Sequence, residues 1–419
     1  MATVDTRVAR SARNFGVRRF KALAILVALG ALSAACGPQS NANPSQPQGK
    51  EAKQIDDLIF YPIVIALVIG VAVTALVLYA IFKFRDKGDG VIPKQVHGNR
   101  AVELGATIGS ALILAVLAVP SYALVQDLAK TPRNALNVEA VGKQWWWQFR
   151  YTANNAPSGA NFKIVTANEL VIPKGRPVRV KIRACDAENP MKSGVADPEC
   201  NVIHSFWVPA LNGKADAVPN RDNKLILNAP TGAGADSYGG YKNAAIYDGI
   251  CAEFCGLSHA NMRFKVVALD SDDYEDWYEK SSRPLGAALV DENGTPLGAA
   301  GKTLAKYSCV NCHSFDPGKT LHGPNLAHFA GRATFASGVW DITPENVAKW
   351  VKDAPSMIPM ETAGCSKSSY AFTGGHVPGT EKTGEMCVGM PSFTKDRNGG
   401  PVMTDAEAET LAEFLLSLK

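Results

Sequence analysis

The sequence predicts a multidomain chain: a two-helix transmembrane hairpin, then an all-β Greek-key module, then an all-α module. Three observations carry this prediction. Two uncharged apolar runs, residues 58–82 and 104–125, each exceed the ~20 residues that a membrane-spanning helix needs. From 134 to about 270, short β-rich stretches alternate with Gly, Pro and Asn turns. From about 302, apolar residues recur at helical spacing behind Thr caps, as in "TPENVAKWVKDA" and "TDAEAETLAEFLLSLK". A length of 419 residues suits two or three domains. The formal net charge is only +4 and no long basic run occurs, which leaves no nucleic-acid footprint.

Residues 1–35 have the three-part layout of a secretory signal: basic "RVARSARNFGVRRFK", apolar "ALAILVALGAL", then small residues. Cys36 comes directly after them in "SAAC", which resembles a bacterial lipobox whose cysteine becomes the lipidated first residue of the mature chain. Leu32 stands one place further from the cysteine than that pattern has it, and an ordinary signal peptide or first anchor is the competing reading. Residues 36–57, polar and proline-rich, read as a flexible tether. Within the hairpin, 58–127, the connector "KFRDKGDGVIPKQVHGNR" carries more Lys and Arg than Asp and Glu, so it belongs on the cytoplasmic side. The expected location is therefore a bacterial inner membrane, crossed more than once, with the residues beyond the hairpin on the periplasmic or outer side.

An oxidising compartment pairs spare thiols, and the nine cysteines sort accordingly. Cys36 belongs to the signal; Cys185–Cys200 and Cys365–Cys387 each bracket a loop-like insertion and read as disulfides. The remaining four lie in "CAEFC" and "CVNC". The β-module, 134–280, is expected to place strands at "ALNVEAVG", "WWWQFRY", "FKIVTANELVIP", "RPVRVKIRA", "VIHSFWVP", "KLILNAP" and "RFKVVAL", a sandwich or Greek-key barrel.

Cys251, Cys255, His259 and Met262 fall within twelve residues, "CAEFCGLSHANM", and His204 stands on an earlier strand. Two thiols, two imidazoles and a thioether form a soft donor set that favours copper. A lone disulfide would give His204, His259 and Met262 no reason to converge, and methionine is a poor ligand for zinc. With "GKQWWWQFRY" upstream, this part of the chain resembles cytochrome c oxidase subunit II, over both membrane helices and the whole β-module. The resemblance implies a cupredoxin fold holding a binuclear copper centre, CuA. By that resemblance Cys251 and Cys255 bridge the metals, His204 and His259 bind one copper each, Met262 is a weak ligand, and the Glu253 carbonyl completes the set. It further implies a magnesium held by the Glu253 carboxylate at the face of the catalytic subunit. The same resemblance implies that Trp145 lies on the side where electrons come in, whereas Trp146 and Trp147 read as core packing. Glu103, in "RAVELGAT", matches a glutamate near one proton-uptake path; a carboxylate favoured by the helix N-terminus is the competing reading. Asn201 stands where the family usually has aspartate, and Ala106 where it usually has tryptophan; the first weakens docking of a soluble cytochrome through that acid.

"CVNCH", residues 309–313, is the attachment pattern of c-type haem: the Cys309 and Cys312 thiols add to the vinyl groups and His313 ligates iron. A zinc knuckle would want a second cysteine pair nearby. "GPNLAHFAGR" lies downstream at a distance similar to that in small class I cytochromes c, which implies that all-α fold over 301–419, behind a linker at 281–300. That resemblance places the sixth ligand in "VGMPSF", at Met390, with Met360 in "MIPMETAGC" as the alternative. A Met/His pair raises the haem potential relative to two histidines, which suits a donor to copper.

Together the modules resemble a caa-type oxidase subunit II. The implied function is to pass electrons from an external donor, by haem c and CuA, to a separate catalytic subunit that reduces oxygen to water with proton pumping. Oxidase subunits I and III and an upstream cytochrome or quinol–cytochrome c reductase are the implied partners. The electron-entry subunit of a CuA-type nitric oxide reductase is the alternative; part of a nitrous oxide reductase and a copper-delivery protein fit the hairpin and the C-x-x-C-H pattern less well.

Overall fold

The structure, a computed structural model, describes residues 42–85, 95, 97–152, 162–184, 202–232, 234–321, 323–360, 389–394 and 401–419. The signal segment, Cys36, Asn201 and both cysteine-bounded insertions, Cys185–Cys200 and Cys365–Cys387, lie outside the described residues.

Helices α1 (Lys50–Lys83) and α2 (Arg100–Leu128) are long and apolar enough to cross a membrane. Helix α1 begins inside the stretch expected as tether, where Lys53 and Asp57 pair one turn apart at 3.0 Å. Two anchors hold the hairpin in place. Gln54 Nε2 donates to Asp127 at 3.1 Å and joins the helices' outer ends. The Gln48 and Gly49 amides donate to the Ala210 carbonyl, at 2.7 and 2.9 Å, and so seat the start of α1 on the β-module. Glu103 sits in the first turn of α2, where its carboxylate accepts from the Asn99 amide at 3.2 Å while Asn99 caps Ala101 and Val102. In this chain the residue helps to hold the helix start.

The β-module is a sandwich. Its strands are β1 (Leu136–Lys143), β2 (Trp146–Thr152), β3 (Phe162–Ala167), β4 (Glu169–Pro173), β5 (Val178–Arg183), β6 (His204–Trp207), β7 (Lys214–Ala217), β8 (Asn223–Leu227), β9 (Asp236–Tyr238), β10 (Tyr241–Cys251) and β11 (Arg263–Leu269). One sheet runs β3-β2-β1-β5-β8; the other runs β4-β11-β10-β6-β7, with β9 on the side of β10. The β1/β5 and β4/β11 pairs are parallel and the other ladders of the sandwich antiparallel. The stretch "FKIVTANELVIP", expected as one strand, divides at Asn168, whose φ of 61° lies in the left-handed region. There the chain leaves the first sheet for the second. Asn168 is fixed on both sides by Trp147, whose amide donates to Asn168 Oδ1 and whose carbonyl accepts from the Asn168 amide, each at 2.8 Å. Tyr151 ties the sheets again, its hydroxyl donating to the Val171 carbonyl and accepting from the Val171 amide. Between the sheets, the Phe206 and Phe264 rings stack at 4.6 Å and Trp147 meets Phe206 edge-on at 5.3 Å. Helix α3 (Ser271–Ser282) closes one side by burying Tyr274 and Trp277.

The C-terminal region is helical: α4 (Gly298–Lys306), α5 (Pro344–Met357) and α6 (Asp405–Ser417), with a small ladder of β12 (Thr334–Phe335) and β13 (Trp340–Asp341). Thr343 caps α5 with Pro344 at its first position, and Thr404 and Glu407 form a reciprocal capping box on α6. The stretch expected as a linker, 281–300, packs into this module, since Leu285 and Val290 are buried in its core with Leu304, Val347 and Leu411. The two modules touch along one edge. Ser337 Oγ donates to the Trp145 carbonyl at 2.7 Å, the Val165 amide to Pro317 at 2.8 Å, and Ser258 Oγ to the Pro359 carbonyl.

Asn168 offers a test of the crossing point. Asn168→Ala loses the side-chain acceptor for Trp147 and puts at φ 61° a residue that tolerates the left-handed region less well than asparagine, so it should cost about 2–3 kcal/mol, and Asn168→Gly about 1 kcal/mol less because glycine accepts that φ. Denaturant unfolding of the full chain in detergent, followed by near-UV circular dichroism, checks the order; equal stability of the Ala variant and the unsubstituted chain would refute it.

Candidate metal centre

Strand β10 ends at Cys251, paired directly with Phe206 on β6, and His204 begins that same β6. The ladder therefore brings a distant histidine beside the cysteine. The loop after Cys251 returns on itself: the Cys251 amide donates to the Met262 carbonyl at 3.0 Å and the Ala252 amide to the Ser205 carbonyl at 2.9 Å. Inside the loop, Gly256 adopts φ 108° and its carbonyl accepts from the His259 amide at 3.1 Å, just before a 3-10 turn at His259–Asn261. Tight turning at both places swings His259 and Met262 back over the cysteines.

The donors converge. Cys251 Sγ lies 3.8 Å from Cys255 Sγ, too far for a disulfide bond of about 2.05 Å. His204 Nδ1 is 3.9 Å from Cys251 Sγ, and His259 Nδ1 is 3.6 Å from Cys255 Sγ. Met262 Sδ is 3.7 Å from Cys255 Sγ, and the Glu253 carbonyl is 3.3 Å from Cys251 Sγ. His204 and Met262 are fully enclosed, whereas Glu253 and its neighbours Phe254 and Leu257 are exposed at the loop tip. The hydrogen bond between the thiols holds Cys251 well below the usual thiol range, helped by His204 and opposed by burial, and it pushes Cys255 up. A site that stabilises one thiolate beside a second sulfur, two imidazoles and a thioether fits a soft cation pair, and it fits zinc less well.

A second layer holds this loop in place. Gln144 Nε2 and Trp145 Nε1 both donate to the Cys255 carbonyl, at 2.8 and 2.9 Å. Sequence reasoning gave Trp145 a role but none to Gln144, whose signal was only its place next to the tryptophans. Trp147 packs in the aromatic core, as expected for it. Trp146 differs: although buried, it borders a cavity between the modules with the Lys143 ammonium 5.3 Å from its ring.

That cavity is lined on one side by Gln144, Trp145 and Ser258, and on the other by Cys309, Cys312 and His313 together with apolar side chains such as Leu326, Phe329 and Trp350. His313 Nδ1 donates to the Pro324 carbonyl at 2.7 Å, which leaves Nε2 as its remaining ring nitrogen. Burial pushes the His313 pKa down, which favours the neutral ring that a metal ligand needs. Burial, then the neighbouring Cys312, pushes the Cys309 thiol up to about 12; a neutral thioether suits that position better than a thiolate. Met360 and Met390 both reach the cavity, and the Met390 amide donates to Met360 Sδ at 3.2 Å. Met390 packs with the C-terminal core and Met360 with the β-module core. A second imidazole of this module, His328, bonds away from the cavity, its ring nitrogens meeting the Lys419 and Arg283 carbonyls at 2.9 Å. The residues fit a flat apolar cofactor carried on two thiols and one imidazole.

Family models match two stretches: the transmembrane domain of cytochrome c oxidase subunit II over residues 39–124 and its periplasmic domain over residues 136–269. A cytochrome c oxidase subunit 2 of Alkalihalophilus pseudofirmus is 33% identical over 330 residues, covering 77% of this chain and 84% of that one. The protein of the same name from Bacillus subtilis is 27% identical over 420 residues, covering 96% and 99%. Among solved structures, the periplasmic domain of subunit II of cytochrome oxidase of Bradyrhizobium japonicum aligns with 36% of this chain and 96% of its own at 24% identity, with a TM-score of 0.27.

Both histidines lie against glycine. A Cβ on Gly142 would fall 2.9 Å from His204 Cδ2, and one on Gly323 would fall 2.8 Å from His313 Cε1. Gly142→Ala should therefore weaken copper retention about 10–100-fold by displacing His204, and leave any haem held at His313 unchanged. Gly323→Ala should do the reverse, altering the spectrum of any haem held there and sparing copper. Copper analysis and haem spectra of the two variants check this; a matched loss of both groups in either variant would refute the separate cradles.

Proposed function

The chain belongs to the cytochrome c oxidase subunit II family and is subunit II of a haem–copper terminal oxidase, through which electrons enter by CuA; from that premise we propose that its C-terminal module is a fused class I cytochrome c that feeds the copper centre. Its membrane hairpin places the β-module on the periplasmic side. The observation that carries the proposal is the shared cavity, bordered by Cys309, Cys312 and His313 on one wall and by Gln144 and Trp145, which hold Cys255, on the other.

We assign Cys251, Cys255, His204 and His259 as the residues that would hold the copper pair, with Met262 and the Glu253 carbonyl as weaker donors. Cys309 and Cys312 would carry the haem, and His313 and Met390 would hold its iron. When bound, these groups supply one-electron storage with little rearrangement, which the protein's own side chains cannot provide. What the chain contributes is placement. Pro324 holds the His313 ring by Nδ1, the Gln144 and Trp145 donors hold the Cys255 carbonyl, and mostly apolar side chains line the space between. Fusion adds a further term: a donor on the same chain has a high effective concentration that a diffusing one lacks. Support for the cytochrome reading includes helix α4, which directly precedes the C-x-x-C-H pattern and packs with the last helix α6.

Several assignments extend outward. The exposed Glu253 carboxylate is the magnesium ligand we assign at the catalytic subunit's face, and Glu103 the residue near a proton-uptake path. Subunits I and III are the proposed neighbours, and an upstream cytochrome or quinol–cytochrome c reductase the proposed donor.

Metal analysis of the full chain should find a copper pair and a single covalent haem. Cys255→Ser should abolish the mixed-valence copper signal and leave haem c intact; a lone zinc, or a blue-copper spectrum, would defeat the binuclear reading. Met390→Ala should lower the haem potential and remove the methionine–iron charge-transfer band, while Met360→Ala keeps the band. The opposite pattern would move the sixth ligand to Met360. Rapid mixing with the physiological donor should reduce haem c before CuA, and the opposite order would make the fused domain a side branch.

A further inference from the structure

Glu169, the first residue of β4, is 1% exposed, although it is a carboxylate on a strand at the sheet edge. It is covered by the C-terminal module. The Ala333 amide donates to Glu169 Oε1 at 3.0 Å, and Thr334 donates to the same oxygen through its amide at 2.9 Å and its hydroxyl at 3.1 Å. The Tyr238 hydroxyl, from the β-module, is a further hydrogen-bond partner, and the Arg332 guanidinium adds opposite charge. Three consecutive residues of the C-terminal module, 332–334, thus enclose one carboxylate of the β-module.

The base of this contact is rigid. Glu169 comes directly after Asn168, the crossing residue that exchanges two hydrogen bonds with Trp147, and Thr334 opens β12. Three residues past Thr334, Ser337 donates to the Trp145 carbonyl. The Glu169 contact and the indole that holds Cys255 are therefore linked through short, hydrogen-bonded stretches on both modules.

We propose that Glu169 is a positioning residue, a clasp that fixes the C-terminal module on the β-module so that the cavity at His313 stays closed against Trp145. This rests on reading the C-terminal module as haem-bearing. The transfer it serves moves one electron, oxidising ferrous haem and reducing the copper pair by one unit, with no bond made or broken. Fixing the pose removes a docking search from that transfer and shields Trp145, only 7% exposed, from other donors. Burial pushes the Glu169 carboxyl above its ordinary value, and the Thr334, Tyr238 and Arg332 groups act in the opposite direction. A sheet-edge carboxylate would keep its water if the module did not cover it, so the enclosing donors are what make its burial tolerable.

The test uses the whole oxidase carrying Glu169→Gln, on one side of the clasp, or Thr334→Val, on the other. In both variants amide exchange over residues 331–338 should rise about tenfold or more. Haem-to-copper transfer after rapid mixing should slow about tenfold and become dependent on ionic strength, as expected of a docking step. Reduction of the copper centre by a small soluble donor should become faster, an effect that simple unfolding would not give. Unchanged exchange and transfer, in variants with full haem and copper content, would overturn the proposal. Absence of covalent haem from the unsubstituted chain would instead overturn the cytochrome reading, while the exchange measurement would still decide the clasp.

Discussion

Two cysteine sulfurs held 3.8 Å apart in a buried loop cannot both be thiolates unless positive charge lies against them. Much of the exported architecture serves that one arrangement. Pairing of β10 with β6 sets Cys251 beside the strand that carries His204, and the bond from the Cys251 amide to Met262 closes the loop. The Cys255 carbonyl is fixed in turn by Gln144 and Trp145, from the turn between β1 and β2. Ligands thus come from two strands and one loop of a single rigid sandwich. Such a site can keep its geometry through electron gain and loss, since these ligands sit on segments pinned by backbone hydrogen bonds.

The same logic explains what was readable in the amino-acid sequence. Five of the donors fall within "CAEFCGLSHANM", so their convergence needs only one turn of the chain and shows as spacing. His204 was legible because "VIHSFWVP" is a short apolar strand with a single imidazole. Gln144, Ser258 and Glu169 carry no such signal. Each acts on a partner about 100 residues or more away, at Cys255, Pro359 and Ala333–Thr334, and sequence spacing cannot report a contact set by how two modules meet.

Strands divided in a similar way. Those with Val, Ile and Phe in alternation were readable; β10, the longest, was not. Its buried face carries Ala245, Tyr247, Gly249 and Cys251 rather than large aliphatics, and Gly249 is needed because the Phe264 ring leaves no room for a side chain. Its polarity pattern is thus that of a loop while its backbone is that of a central strand. The split of "FKIVTANELVIP" was hidden for a related reason. Apolar alternation continues across Asn168, and only the left-handed φ there turns one run into two strands on different sheets. Apolar length alone made the membrane helices plain, whereas the start of α1 depends on contacts with Ala210 and Leu211 that a polar tether does not advertise.

How the modules meet also bears on partner choice. An acceptor that takes electrons from diffusing carriers needs an open, charged face for them, since electrostatic steering sets the rate at which they arrive. Here Trp145 and Trp146 are covered, and the edge around them is occupied by Ser337, Pro359 and the wall of the C-terminal cavity. On the proposed reading, a chain that supplies its own donor gains a fixed contact and gives up a surface that would recruit others. On that reading, selectivity for the external carrier would pass to the outer face of the C-terminal module, where it could change without disturbing the copper loop.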